Sequence, residues 1–344
     1  MTLKRIALFA IGIALIIAVL SVFGLQETIT ALSRTNLELF AAAIGLQLVV
    51  VLLLILRIKV LVRGKGYVSF RQAVRVTLSG MFVSMMTPLA KLGGEPLKMY
   101  MLQGNVGGHN ASAAVAIESI MELASTLFVV LVVALLLFSQ IPAAFVMTFV
   151  IFLIVAGLGI GLLLKIIFTP KWLHHIVNWI SVKMAKMMEV EKKNYAHMFS
   201  SAFYSMWASK RTLFGAFSLS VLMKLVEMLR LWVIFLALGI FLPFNTVVLV
   251  WTIILVVLFI PWLPGSLGLA EFGGISALLA FGVVPSMAAS SMVLDRLVSF
   301  WLPLFIGLVG FTAAKKRGEL PSLRRKHKDT HHKKGYLILR DPYY

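Results

Sequence analysis

The chain has 344 residues, of which 60% are hydrophobic and 13% charged, against about 25% charged in ordinary soluble proteins, so a soluble globular class is excluded and a polytopic membrane protein is implied. Cysteine is absent, which removes disulfide frameworks, thiolate nucleophiles and cysteine-based metal sites. A net charge of +19 would suggest a nucleic-acid partner in a soluble protein; here the placement of the charges reports topology, and no nucleic acid is expected.

A helix needs about 20 apolar residues to cross a hydrocarbon core about 30 Å thick. Residues 6 to 24 follow Lys4 and Arg5 and are apolar for 19 positions, longer than the core of about 7 to 15 residues in a cleaved signal peptide. They are expected to form a retained first span, with 1–36 as an anchor and loop. A second span over about 39 to 57 ends in a basic segment holding Arg57, Lys59, Arg63, Lys65, Arg71 and Arg75. Residues 72 to 87 are helical in character but rich in Ser and Thr. They lead into Pro88-Leu-Ala-Lys91-Leu-Gly93-Gly94-Glu95, and an apolar return runs from Met99 to Gly104. The region 72–106 therefore reads as a broken or re-entrant hairpin.

A span over about 111 to 138 carries Glu118 and Glu122 four apart on one face. Ile141-Pro142 makes a turn, and the next span, about 143 to 168, contains Gly157 and Gly161 at a spacing that lets helices approach closely. From Lys171 to Arg211 apolar Trp172, Ile176, Trp179, Met184 and Met187 alternate with His175, Asn178, Lys183 and Lys186 at helical spacing, the pattern of a helix lying in the membrane interface. A span over about 212 to 239 holds Lys224, Glu227 and Arg230. A second hairpin, 245–282, surrounds Pro264-Gly-Ser-Leu-Gly268-Leu-Ala-Glu271, and a final span, 287 to 313, contains Asp295 and Arg296. The tail, 315–344, is basic, polar and of disordered composition.

Lys and Arg outside the spans and hairpins, or within a few residues of their ends, fall 26 to one in favour of the side that holds the N-terminus, which makes that side, and the C-terminus with it, cytoplasmic. An offset of 176 residues then lays Pro88 on Pro264 and Glu95 on Glu271. The expected fold is all-α, with about six full spans and two broken hairpins in two inverted-topology repeats, 37–139 and 213–314, joined by a connecting segment, 140–212. Paired breaks of this kind are a sequence pointer to a transporter site.

Six of the 13 acids, Glu95, Glu118, Glu122, Glu227, Glu271 and Asp295, fall within spans or hairpins. A charge at the bilayer centre costs about 2.5 to 3.5 kcal/mol on insertion scales, so these groups must be paired, protonated or wet. Lys91, Lys98, Lys224, Arg230 and Arg296 are the available partners. Either they pair off as structural glue between repeats, or they form a polar path through the bilayer. At each break, Gly93 and Gly94 or Gly268 permit a sharp turn that exposes the N–H groups of a half-helix start, which attract anions. Lys98 lies three residues past Glu95, placed to meet a headgroup or to snorkel to the interface. The candidate substrate-binding set is Gly93, Gly94, Glu95, Lys98, Glu118, Gly268, Glu271, Asp295 and Arg296. His327 and His331 are four apart but lack an acid motif, so no metal is expected, and no cofactor or hydrolase motif is present.

The pattern Pro88-x-x-x-Leu-Gly-Gly-Glu95-Pro-x-Lys98, then Pro264-Gly-x-Leu-Gly-x-x-Glu271, then Asp295-Arg296-Leu-x-Ser-Phe-Trp resembles the flippase-like membrane domain of lysylphosphatidylglycerol synthases, including the free-standing UPF0104 membrane proteins. The resemblance covers the chain to about residue 314. It implies movement of a phospholipid or lipid-linked headgroup between leaflets of the plasma membrane, with Glu95 and Glu271 lining a groove and Lys98 and Arg296 contacting phosphate. No synthase activity is implied, so an enzyme is not expected. Two other readings use the same residues: a scaffold that recruits partners or anionic membrane lipids through its basic segments, and a membrane-embedded lipid-modifying enzyme. One departure is that Glu118 is followed by Ser119, where the second repeat has Asp295-Arg296.

Overall fold

A computed structural model describes residues 30, 32–87, 93–169, 195–258 and 268–320. The expected first span at 6–24, the breaks at 88–92 and 259–267, residues 170–194 of the interfacial segment and the tail from 321 lie outside the described residues. All regular structure among the described residues is helical.

Helix α1, Leu37–Leu61, starts where Asn36 caps it by accepting from the N–H groups of Glu38 and Leu39 at 3.0 and 3.1 Å. Helix α2, Phe70–Met85, is capped by Ser69. Helix α3, Glu95–Val106, begins with Pro96 in its first turn, where a missing N–H costs nothing. Gly107, at φ 80°, is the hinge into α4, Gly108–Leu137. The turn expected at Ile141-Pro142 follows a 3₁₀ turn, Phe138–Gln140, and α5 runs Ala143–Phe168. Then come α6, Tyr195–Trp207, α7, Lys210–Ala237, and α8, Phe244–Leu258. The last set is α9, Leu269–Ala280, α10, Pro285–Arg296, and α11, Leu302–Lys316.

The final span is one path with a defect that the periodicity did not announce. A π-helical segment, Leu297–Trp301, joins α10 to α11. Pro303 stands at the start of α11 and has no N–H to return to the preceding turn, so the ladder widens there instead of closing.

The most extensive helix packing is α1 against α7, and the two run antiparallel. At one end the Asn36 N–H donates to the Ala237 carbonyl at 2.8 Å; at the other, Val60 lies against Gly215. Around this pair α2 packs on α11 and α8 on α4, while α3 returns along α2 and α9 along α8. Two apolar cores result. One gathers Phe149, Phe235 and Ile253 with their neighbours, the other Ile58, Leu102, Ile117 and Phe203.

Three stretches, Leu37–Leu61, Gly108–Gln140 and Pro285–Lys316, are long and apolar enough to cross a membrane by length and composition. Their outer faces and that of α5 carry exposed Leu135, Leu136, Met147 and Leu158 at 69 to 75% exposure, a surface suited to hydrocarbon and not to water.

Small residues set the closest approaches. A Cβ on Gly310 of α11 would lie 2.4 Å from the Leu78 Cβ of α2, and one on Gly307 would lie 3.1 Å from the Leu78 carbonyl oxygen. Gly310→Leu is therefore expected to force α11 off α2 and to destabilise the fold by about 1 to 3 kcal/mol. A Cβ at Gly45 meets nothing, so Gly45→Ala raises stability by roughly 0.5 to 1 kcal/mol. Thermal unfolding of both variants in detergent checks the contrast.

Candidate functional site

The α1–α7 seam is hydrophobic in outline but carries charges along its length. Arg57, on α1, is 3% exposed. It lies on the same stripe as buried Val50, Leu53 and Leu61, so the helix that buries those residues must bury it as well. Its guanidinium donates to the Ser220 hydroxyl of α7 at 2.8 Å and to Glu118 Oε1 of α4 at 3.2 Å, and it also bonds Glu122. Lys224 of α7 bonds the other oxygen of Glu122. Further along the seam Arg230 of α7 bonds Gln47 of α1 and, at 3.0 Å, Asp295 of α10.

Glu118 and Glu122, four residues apart, thus share one face of α4 and point at α1 and α7 together. Glu118 is 2% exposed and is held from both sides, because the Lys98 ammonium of α3 meets its Oε2 at 3.0 Å. Lys98 reaches it along Gly80 of α2, where a Cβ would lie 2.6 Å from the Lys98 Cγ. The start of α3 is pressed onto α2 in the same way: a Cβ on Gly94 would stand 2.0 Å from the Gly80 carbonyl oxygen, and the Gly94 N–H donates to Ser84 Oγ at 3.1 Å. Glycine at 94 permits that approach, and the approach sets Glu95 beside Lys98 and Ser119. The Oε2 of Glu95 is buried with no hydrogen-bond partner among the described residues.

The second break makes a related but closed arrangement. Gly268, at φ 86°, precedes α9, and its N–H donates to Glu271 Oε2 at 2.7 Å. Glu271 Oε1 faces the Arg296 Nε of α10 at 2.9 Å. Adjacent Asp295 and Arg296 project to different sides of α10, Asp295 toward the seam and Arg296 toward α9. Ser299, on the π segment, donates to Asp295 Oδ2 at 3.1 Å.

Of the residues singled out in the sequence, the fold brings Gly93, Gly94, Glu95 and Lys98, at the start of α3, together with Glu118 of α4 against α2. It brings Gly268, Glu271 and Arg296 together on α9 and α10, with Asp295 turned to Arg230. Arg57 was grouped with the basic segment that follows α1 and instead lies at the centre of the seam; Gln47 and Ser220 gave no sign of their role. For Arg57 the signal was its place on the apolar stripe, one turn before Leu61. No group of three or more His, Asp or Glu side chains suited to a metal occurs among the described residues.

Removing one partner of a buried ion pair costs more than the pair contributes, about 3 to 5 kcal/mol. Arg57→Met leaves Glu118 and Glu122 short of a cation and is expected to lower stability by that order, while Arg63→Met, on the exposed segment after α1, leaves it unchanged. Unfolding midpoints of the purified variants decide it.

Residues 6–307 match the profile of the family described as the lysylphosphatidylglycerol synthase TM region. A UPF0104 membrane protein of Pyrococcus horikoshii is 27% identical over 93% of this chain and 99% of its own length. Another, of Methanocaldococcus jannaschii, is 28% identical over 91% of this chain and 96% of its own, and one of Methanothermobacter thermautotrophicus is 25% identical over 89% and 94%. With the match extending over most of its length, and with helices of spanning length around a buried ionic seam, this chain is a membrane protein that belongs to the lysylphosphatidylglycerol synthase TM region family.

Proposed function

We propose that the protein moves a phospholipid or lipid-linked headgroup between the leaflets of the plasma membrane. The observation that carries this reading is the buried ionic seam flanked by the starts of the short helices α3 and α9. Charged groups inside a membrane protein are costly and default to a role in transport or relay. Here cations and carboxylates run from Lys98 and Glu118 through Arg57, Glu122 and Lys224, with Arg230, Asp295, Arg296 and Glu271 beyond.

In this reading α1 to α4 and α7 to α11 are two units of opposite orientation, and 37–139 and 213–314 are the repeats. The antiparallel packing of α1 on α7 supports it, because a twofold axis lying in the membrane plane must set equivalent helices antiparallel. So does the exchange of contacts in which α2 packs on α11 and α8 on α4. Rocking one unit against the other alternates access to a site between them.

A lipid phosphate enters by competition. Lys98 and Arg296 rest on Glu118 and Glu271, and a phosphate that takes either cation releases a carboxylate, which then accepts from an amine or hydroxyl of the headgroup. Gly93, Gly94 and Gly268 keep the half-helix starts clear for the headgroup, and the acyl chains stay in hydrocarbon along exposed apolar faces. Transport needs no covalent step, so no catalytic role is assigned to any residue.

Reconstituted in liposomes with labelled phospholipids, wild-type protein is expected to accelerate transbilayer movement several-fold over protein-free vesicles, and Glu95→Gln and Glu271→Gln to slow it. No acceleration for any lipid of the host membrane sinks the translocator reading. Truncation after residue 320 is expected to leave movement intact. If truncation abolishes function while both Gln variants retain it, the basic tail carries the role and the chain is a scaffold.

A further inference from the structure

Glu95 and Glu271 hold equivalent places, 176 residues apart, at the starts of α3 and α9, yet only one of them is neutralised. Glu271 is charge-paired: its Oε1 lies 2.9 Å from the Arg296 Nε, an ion-pair contact outside hydrogen-bond geometry, and its Oε2 accepts from the Gly268 N–H at 2.7 Å. The residue of α4 that corresponds to Arg296 of α10 is Ser119, 177 positions earlier. Ser119 sits beside the Glu95 carboxyl, but a hydroxyl brings no charge. The Oε2 of Glu95 is left buried and without a hydrogen-bond partner among the described residues.

The charges around Glu95 do not compensate. Lys98 of its own helix, Glu118 of α4 and Arg57 of α1 act on it, while α2 presents neutral Ser84 and Thr87 near the start of α3. Lys98 is committed to Glu118, and Arg57 to Glu118 and Glu122. Taken together, Arg57, Lys98 and Lys224 face Glu95, Glu118, Glu122 and Glu227, the last acting on Lys224. Among the described residues one carboxylate is in excess. In the other half Arg230 matches Asp295 and Arg296 matches Glu271.

We propose that Glu95 is a proton-binding site, left open by Ser119 where Arg296 closes its counterpart Glu271, and that lipid movement is coupled to proton binding there. The coupling rests on the translocator reading; the proton site does not. A buried carboxyl without a cation is far cheaper neutral than ionised, and one proton on Glu95 makes the first cluster neutral. A proton fits where a metal cation does not, because a carboxylate with the Lys98 ammonium and the Arg57 guanidinium acting on it sits in a field that disfavours a further metal cation. Loss of the proton turns Glu95 into a competitor for Lys98, drawing the ammonium off Glu118 within the reach of one helical turn. Proton occupancy thereby decides whether Lys98 is held by Glu118 or freed toward Glu95 and an arriving phosphate.

The test is acid-minus-alkaline infrared difference spectroscopy on the full-length protein in lipid. Wild type is expected to show a protonated-carboxyl carbonyl band that titrates. Glu95→Gln loses it, Glu271→Gln keeps it, Ser119→Arg, which installs the closure of the other half, loses it, and Ser119→Ala keeps it. A band that survives Glu95→Gln, that is absent from wild type at every pH, or that emerges only after Lys91→Gln overturns the proton site, as does a band abolished by sodium at constant pH. In vesicles, an imposed pH gradient is expected to change the rate of labelled-phospholipid movement several-fold for wild type and by the same ratio for Glu271→Gln, but not for Glu95→Gln. Movement indifferent to the gradient in wild type overturns the coupling. If no variant moves lipid while the infrared pattern holds, the proton site stands and the translocator reading falls.

Discussion

Everything in this structure answers to one constraint, that a charge withdrawn from water must find its partner inside the protein. A lone ion at the centre of a bilayer costs several kcal/mol, and among the described residues Arg57, Lys98, Lys224, Arg230 and Arg296 sit between the packed helices. Each is met by a carboxylate from another helix. That requirement explains why α4 turns Glu118 and Glu122 into the α1–α7 seam, where Arg57 of α1 and Lys224 of α7 share Glu122, and leaves Leu135 and Leu136 outside. Dispersion and shape set how close the helices come; ion pairs tie α3 and α4 to α1 and α7, and α9 and α10 to each other and to α7.

The second determinant is the absence of side chains where backbones must touch. Gly94 lets the start of α3 rest on the carbonyl of Gly80, and Gly80 in turn clears a path for the Lys98 stem. On the other side Gly274 of α9 faces the Met292 sulfur of α10, where a Cβ would lie 2.1 Å away. These contacts hold the short helices α3 and α9, each 12 residues long and so too short to span alone, against longer ones. Their N-termini are thereby fixed at depth, and with them the two glutamates.

Much of this was legible in the sequence because it depends on local chemistry. Pro142 and the glycine at 107 stop or bend helices whatever they pack against, so the helix bounds fall near the apolar runs. The recurrence of Pro, Gly and Glu at an offset of 176 singled out Glu95 and Glu271, which the structure places in the first turns of α3 and α9. Arg57 escaped because its neighbours Lys59 and Arg63 share its charge but not its face, and a basic run read as a block conceals the member that lies on the apolar stripe. Gln47 and Ser220 were illegible for a different reason: small uncharged polar residues in an apolar helix usually bond their own backbone, and only the arrival of Arg230 and Arg57 from other helices gives them a partner. The π segment at Leu297–Trp301 depends on how Pro303 is accommodated, which spacing does not encode.

The departure noted between Glu118-Ser119 and Asp295-Arg296 turns out to be the informative one. Two units with the same closure would give a site whose charge is fixed in every state, and a ligand or proton that binds all states alike shifts no equilibrium. Two open units would leave two buried carboxylates to neutralise, doubling a cost that ion pairing exists to remove. One open and one closed acid avoids both outcomes: the closed half holds its geometry, and the open half offers a group whose charge can change with the state of the protein. In the proposed repeat arrangement, serine in place of arginine at equivalent positions would give two like units an unlike response.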